Sequence, residues 1–335
     1  MRTQTHARLI FVWLALLLAT SGGAAEPIRI VRIDPALDRL LPRDAKVERI
    51  AEGFVWIEGP VWHREGRYLL FSDVAQNTIF KWQEGTGVSV YLKPSGYTGA
   101  APFTGPEPGS NGLALDREGR LIIAQHGDRR IVRVEADGTW TSLAATFEGK
   151  RLNSPNDLAF KSNGDLYFTD PPFGLPRTFD DESKETPFSG VYRLAQDGTV
   201  TLLVRDLKAP NGVAFSPDEK TLYVTNADRE RPQWLAYEVL SGGALGERRV
   251  LVDGARFAQS RPGGPDGLKV DRAGNLFSAG PGGIYIFDRT GRHLGTIDLG
   301  VATGNCAWGD DGSVLYITAG TTLFRVRLDT QGAGF

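Results

Sequence analysis

The amino-acid sequence predicts an all-β fold, a six-bladed propeller of four-stranded antiparallel blades. Three observations carry this expectation. A motif of a polar residue, an apolar strand, a charged or glycine turn and a second apolar strand recurs six times. Its copies begin at Glu58, Asn111, Asn156, Asn211, Asp266 and Asn305, 39 to 55 residues apart, which is room for four short strands and their turns. Finally, 41 Gly and 19 Pro stand against a single Met, a balance that favours many tight turns over long helices.

In chain order, Arg2, His6 and Arg8 precede an apolar run from Leu9 to Leu18, and small residues from Thr20 to Ala25 follow. That pattern reads as an export leader, residues 1–25, cleaved after Ala25 and too short to span a bilayer comfortably. The expected mature chain, 26–335, is then one propeller domain, periplasmic or secreted, with no membrane attachment after cleavage. The repeats follow, from Glu58-Gly-Pro-Val-Trp62 to Asn305-Cys-Ala-Trp308. Third strands are predicted at 131–134, 191–194, 284–287 and 323–326. Asp137-Gly138 and Asp197-Gly198 make hairpin turns into fourth strands, because glycine accepts the positive φ a tight turn needs. The last repeat stops after its third strand near Leu328, and Val47–Ile50 is the expected fourth, so that the two ends of the fold close the ring and remove a sheet edge. Trp62, Phe160 and Phe215 on first strands are expected in the core.

Composition excludes some function classes. A net charge of −2 with mixed signs gives nucleic acid or an anionic membrane no purchase. Cys306 is alone, so no intrachain disulfide forms, and a lone thiol is expected to be a buried apolar filler. Nothing in the composition sets an oligomeric state. No Gly-x-Ser-x-Gly elbow, phosphate-binding loop or Gly-x-Gly-x-x-Gly motif is present.

First strands line a propeller's channel, so the six repeat-opening residues form a ring of oxygen donors with no basic member. Asx turns account for any single Asn, and most simply for Asn111 and Asn305, but not for Glu58 at the same phase. Two converging carboxylates need a cation between them, and an all-oxygen cage selects a hard ion. Ca²⁺ is expected, with Mg²⁺, Mn²⁺ or Zn²⁺ as alternatives. Zinc fits least, since His6, His63, His126 and His293 show no ligand spacing. Two stretches break the repeat on this face, Pro94–Ser110 and Pro171–Ser189, and are expected to wall a pocket. His126 follows the second strand of its repeat on the same face, as a satisfied histidine or as a substrate contact.

These motifs resemble the senescence-marker-protein/gluconolactonase family of six-bladed propellers. Glu58-Gly-Pro-Val-Trp62, Ser154-Pro-Asn-Asp157, Pro210-Asn-Gly212 and Pro265-Asp-Gly267 match its strand starts, and Asp128-Arg-Arg130 and Phe168-Thr-Asp-Pro-Pro-Phe-Gly174 its bacterial gluconolactonase branch. The resemblance implies a metal-dependent lactonase with Glu58, Asn156, Asn211 and Asp266 holding the metal and Asp266 also acting as acid/base. Asn111, His126, Asn156 and Asp170 complete the expected site as contacts to a small lactone. Some relatives carry Arg two positions before the residue matching Asn156, where this chain has Ser154. Two other readings share the cage: hydrolysis of organophosphates, fluorophosphates or other esters, and a non-catalytic binding propeller pinned by Ca²⁺.

Overall fold

The computed structural model describes residues 27–257 and 261–335, so the leader lies outside the described residues. The six repeats fold into six four-stranded antiparallel blades of one propeller. Blade 1 is Ile57–His63, Tyr68–Asp73, Thr78–Gln83 and Gly87–Leu92, and blade 2 is Ser110–Leu115, Leu121–Gln125, Arg130–Val134 and Trp140–Ala144. Blade 3 runs Leu158–Phe160, Leu166–Asp170, Gly190–Leu194, Val200–Val204, and blade 4 Pro210–Phe215, Thr221–Asn226, Gln233–Val239, Leu245–Asp253. Blade 5 holds Leu268–Val270, Leu276–Gly280, Gly283–Phe287 and His293–Asp298. Blade 6 holds Thr303–Gly309, Val314–Ala319 and Thr322–Arg327. Its outer strand is Val47–Glu52, paired antiparallel with Thr322–Arg327, so the ring closes as expected.

Burial follows from this geometry. Second strands such as Leu276–Gly280 are buried throughout, whereas the outer strand Gly87–Leu92 is largely exposed. The apolar core is divided among the seams between neighbouring blades. In one seam Trp62 stacks on Tyr316 with ring centroids 5.3 Å apart, joining blades 1 and 6. In another, Phe215 meets Tyr167 edge-on at 4.8 Å, joining blades 4 and 3. Phe160 packs in the seam of blades 2 and 3. Cys306 is fully buried between blades 5 and 6, and burial pushes its thiol up to about 12, so it is a packing residue rather than a nucleophile.

Two elements go beyond the repeat pattern. Arg29–Arg32 adds a fifth strand to blade 5 against His293–Asp298. A small hairpin, Thr146–Phe147 with Lys150–Arg151, leads from blade 2 to blade 3. Among the described residues no helix is long and apolar enough to cross a membrane.

Candidate metal centre and active site

The ring of repeat-opening residues is built by the backbone. In blades 1, 2, 4 and 6 the register of the first strand slips within a few residues of Glu58, Asn111, Asn211 and Asn305. A bulge at that point re-aims the side chain. Neighbouring blades then touch at the same level. The Gly112 N–H donates to Asn156 O (2.7 Å), and the Gly267 N–H to Gly304 O (2.8 Å). Second-strand hydroxyls reach the next blade: Ser72 Oγ donates to Asn111 O (2.8 Å), Thr169 Oγ1 to Asn211 O (2.5 Å) and Thr225 Oγ1 to Asp266 O (3.0 Å). The approach is close enough to demand glycine. A Cβ on Gly59, which has φ +49°, would strike Asn111 O, and one on Gly304 would strike the Glu58 carboxylate.

Inside the ring, Glu58, Asn111, Asn156, Asn211, Asp266 and Asn305 are all buried or nearly so. Glu58 Oε2 accepts the N–H of Gly59 (3.2 Å), and Asp266 Oδ1 that of Gly267 (3.0 Å). Burial pushes the Glu58 carboxyl up to about 8; the Gly59 N–H opposes this, and the charges of Asp157 and Glu107 add to it. Burial likewise holds Asp266 well above the ordinary carboxylate range, with Glu58 and Asp157 pushing in the same direction. Lys269 is the cation at hand, and its Nζ is held by Leu268 O (3.1 Å) and Asn305 Oδ1 (3.3 Å). The Asn156 and Asn211 side chains make no hydrogen bond to any described residue. Two carboxylates raised by burial, one of them also by the charge of the other, and two idle amides are the donor set a hard dication satisfies. Among the described residues no three His, Cys, Asp or Glu side chains come together to hold a metal, so any cage here depends on amide oxygens.

The remaining ring members divide. Asn305 is occupied, since its Oδ1 accepts from Cys306 N (2.9 Å) and from Lys269. Asn111 Oδ1 is buried with no partner, so the local-turn explanation that suffices for Asn305 fails for Asn111. His126 is fully buried, with Nδ1 2.9 Å from Glu107 Oε2 and Nε2 unpartnered.

Asp170, expected from sequence as a substrate contact, has a structural task. Its Oδ2 accepts Asn153 N–H and its Oδ1 accepts Ser154 N–H, each at 2.8 Å, so it props up the turn ahead of Asn156. Asp73 does the same for Val55 (2.8 Å) and Asn226 for Ala209 (3.1 Å), which makes it a device of the blade. Burial raises Asp170 to about 7, against the pull of those two N–H groups.

Both inserted loops reach this end of the ring. Gly105 faces Pro176, so the loops meet, and a side chain at Gly174 would collide with His126 and Ser154. Ser154 Oγ donates to Pro171 O (2.5 Å) and accepts from Gly174 N (2.9 Å), so the residue standing in for Arg ties down the second loop. A separate cavity of about 570 Å³ lies at the opposite face among Glu84, Asp310, Asp311, Arg325 and Arg327. Its arginines pair with carboxylates there, and it has no part in the cage. Glu107, Asp157 and Lys269 were not singled out from sequence. Asp157 sits one residue past the ring phase and accepts Val213 N–H (3.2 Å), while Glu107 lies in a Gly/Pro-rich loop with no repeat to mark it.

The SMP-30/Gluconolactonase/LRE-like family profile matches residues 56–321, from blade 1 into blade 6. The chain belongs to this family. Within it, a gluconolactonase of Zymomonas mobilis is 42% identical over 310 residues, 91% of this chain and 87% of that protein. The lactonase drp35 of Staphylococcus aureus is 28% identical over 72% of this chain and 69% of its own length. A solved gluconolactonase of Xanthomonas campestris superposes with a TM-score of 0.78 at 34% identity, covering 91% of this chain and 98% of that one.

Proposed function

We propose that this chain is a Ca²⁺-dependent lactonase that opens a sugar lactone such as gluconolactone, with Asp266 as acid/base. The observation that carries the reading is the pair of carboxylates, Glu58 and Asp266, both raised by burial at ring positions equivalent to those of Asn156 and Asn211, whose side-chain amides are idle. The gluconolactonase similarity over nine-tenths of the chain supports the same chemistry.

Glu58, Asn156, Asn211 and Asp266 would hold the ion, whose charge supplies stabilisation for the oxygen anion that develops on the lactone carbonyl. Asp266 accepts a proton as water attacks the carbonyl carbon. The carbon–ring-oxygen bond then breaks, and Asp266 returns the proton to the leaving alkoxide, giving the hydroxy acid. Burial and the neighbouring charge of Glu58 favour proton uptake by Asp266, while a bound cation moderates it. The loops 94–110 and 171–189 hold the substrate over the cage. The leader-like segment ending at Ala25 supports action in the periplasm or outside the cell.

The test is hydrolysis of a panel of sugar and alkyl lactones by purified protein, in EDTA and with added Ca²⁺, Mg²⁺, Mn²⁺ or Zn²⁺. Turnover that EDTA abolishes and Ca²⁺ restores is expected. Turnover indifferent to EDTA refutes the metal, and no turnover of any lactone refutes the activity.

A further inference from the structure

Blade 2 carries two buried acceptors for which the described residues provide no donor, His126 Nε2 and Asn111 Oδ1. They flank one paired position. Ser110 pairs with Gln125, Asn111 follows Ser110, and His126 follows Gln125 with its own N–H donating to Gly109 O (3.1 Å). An unpartnered buried polar atom is costly, so native structures keep such atoms where a ligand or water meets them.

Glu107 decides what His126 offers. A carboxylate can only accept, so the 2.9 Å contact calls for a proton on Nδ1, and a ring that carries this one proton has its lone pair on Nε2. Glu107 belongs to the loop that walls the cage, and its charge is felt by both Glu58 and Asp266, which places the pair beside the ring. Gly174 of the second loop packs on His126. Beneath the two loops His126 Nε2 is therefore a buried acceptor. An alkyl lactone has no hydrogen-bond donor to give it, whereas a polyhydroxylated lactone has several.

We propose that Glu107 is a positioning residue that holds His126 in its Nδ1-protonated tautomer, so that His126 Nε2 and Asn111 Oδ1 form a two-acceptor subsite for the hydroxyl groups of a sugar lactone. This rests on the lactonase reading for its substrate and on geometry alone for the tautomer. It accounts for selectivity, because a site built to accept from a hydroxyl discriminates strongly against an analogue lacking it.

Two measurements test it. Long-range proton–nitrogen NMR of ¹⁵N-histidine protein at pH 7.5 should show His126 protonated at Nδ1 and bare at Nε2. Glu107→Gln, whose amide oxygen still accepts, should keep that pattern, and Glu107→Ala should lose it. A wild-type ring protonated at Nε2 overturns the proposal whether or not the protein is a lactonase. In kinetics, Glu107→Ala should lower kcat/KM for glucono-δ-lactone about 10-fold to 100-fold more than for δ-valerolactone, the difference arising chiefly through KM. Glu107→Gln should recover most of the loss. Equal losses on both lactones, or a loss confined to kcat, overturn the subsite. If the wild type hydrolyses neither, the lactonase reading fails, and calorimetry with gluconate decides the subsite: binding weakened by Glu107→Ala sustains it, and no binding to the wild type overturns it.

Discussion

Replacing Glu58 with Gln should make the protein more stable without metal and much less responsive to it. Burial raises the Glu58 carboxyl to about 8, from 4.5. A carboxyl raised on folding contributes stability below its unfolded value and loses that contribution as pH rises through its folded value. At pH 8 the folded chain must therefore either take up a proton or bury a charge. With 1.36 kcal/mol for each pH unit between 4.5 and about 8, that costs about 4 kcal/mol. Gln removes the charge, keeps an oxygen for the Gly59 N–H, and should raise Tm in EDTA by about 6 °C in a chain of this size. Calcium narrows the gap. Wild type gains about 2.7 kcal/mol at 100 times Kd, and the variant, lacking one anionic ligand, gains far less at the same concentration. The assay is differential scanning calorimetry at pH 8 with EDTA and with Ca²⁺. Glu58→Gln less stable than wild type in EDTA, or equal Ca²⁺-induced shifts in the two proteins, would refute the reasoning.

Asp266→Asn keeps a carbonyl oxygen for the ion and removes the basic one, so kcat at saturating Ca²⁺ should fall about 10²-fold to 10⁴-fold; near wild-type turnover reduces Asp266 to a ligand. Thr225→Val removes the buried hydroxyl that donates to Asp266 O and accepts Gly212 N–H (2.7 Å), which should cost about 1–3 kcal/mol in urea denaturation and weaken Ca²⁺ binding, while Thr225→Ser restores both. Asp170 is raised from 3.8 to about 7, so its stabilising contribution is full below the lower value and lost by the upper. The Tm advantage of wild type over Asp170→Asn should accordingly shrink from pH 4 to pH 7 and level off above pH 8; a gap that widens with pH contradicts the burial argument.

The blades were legible because each repeats a pattern that local physics enforces. Apolar residues alternate on strands that must bury a face, and Asp-Gly or Asn-Gly marks the turns, as at Asp137-Gly138 and Asp197-Gly198. The ring was legible for the same reason: six residues at one phase of six repeats converge by symmetry. What escaped lies where that symmetry stops. Arg29–Arg32 pairs with blade 5 although its sequence is only four residues, two arginines around Ile30 and Val31, with no repeat to place it. Glu107 reaches His126 through a loop whose path no periodicity records. Asp170 shows the opposite case. Asp73 and Asn226 stand at the same position in blades 1 and 4, and that recurrence was the sign of a structural task.

The strand that completes blade 6 also orders events in time. Val47–Glu52 is made early in synthesis and can find its partner, Thr322–Arg327, only after some 270 intervening residues have emerged. Blades 1 to 4 are each contiguous in sequence and can pair locally as they leave the ribosome. The last closure joins the contacts most distant along the chain, the kind that form slowly. Until then the outer face of Thr322–Arg327 and both faces of the open seam, with Trp62 on one side and Tyr316 on the other, are exposed to any other chain nearby. A nascent molecule stalled before Arg327 would therefore be a sticky one, and a slow codon or a fused domain near that point bears on yield more than the same change inside a blade.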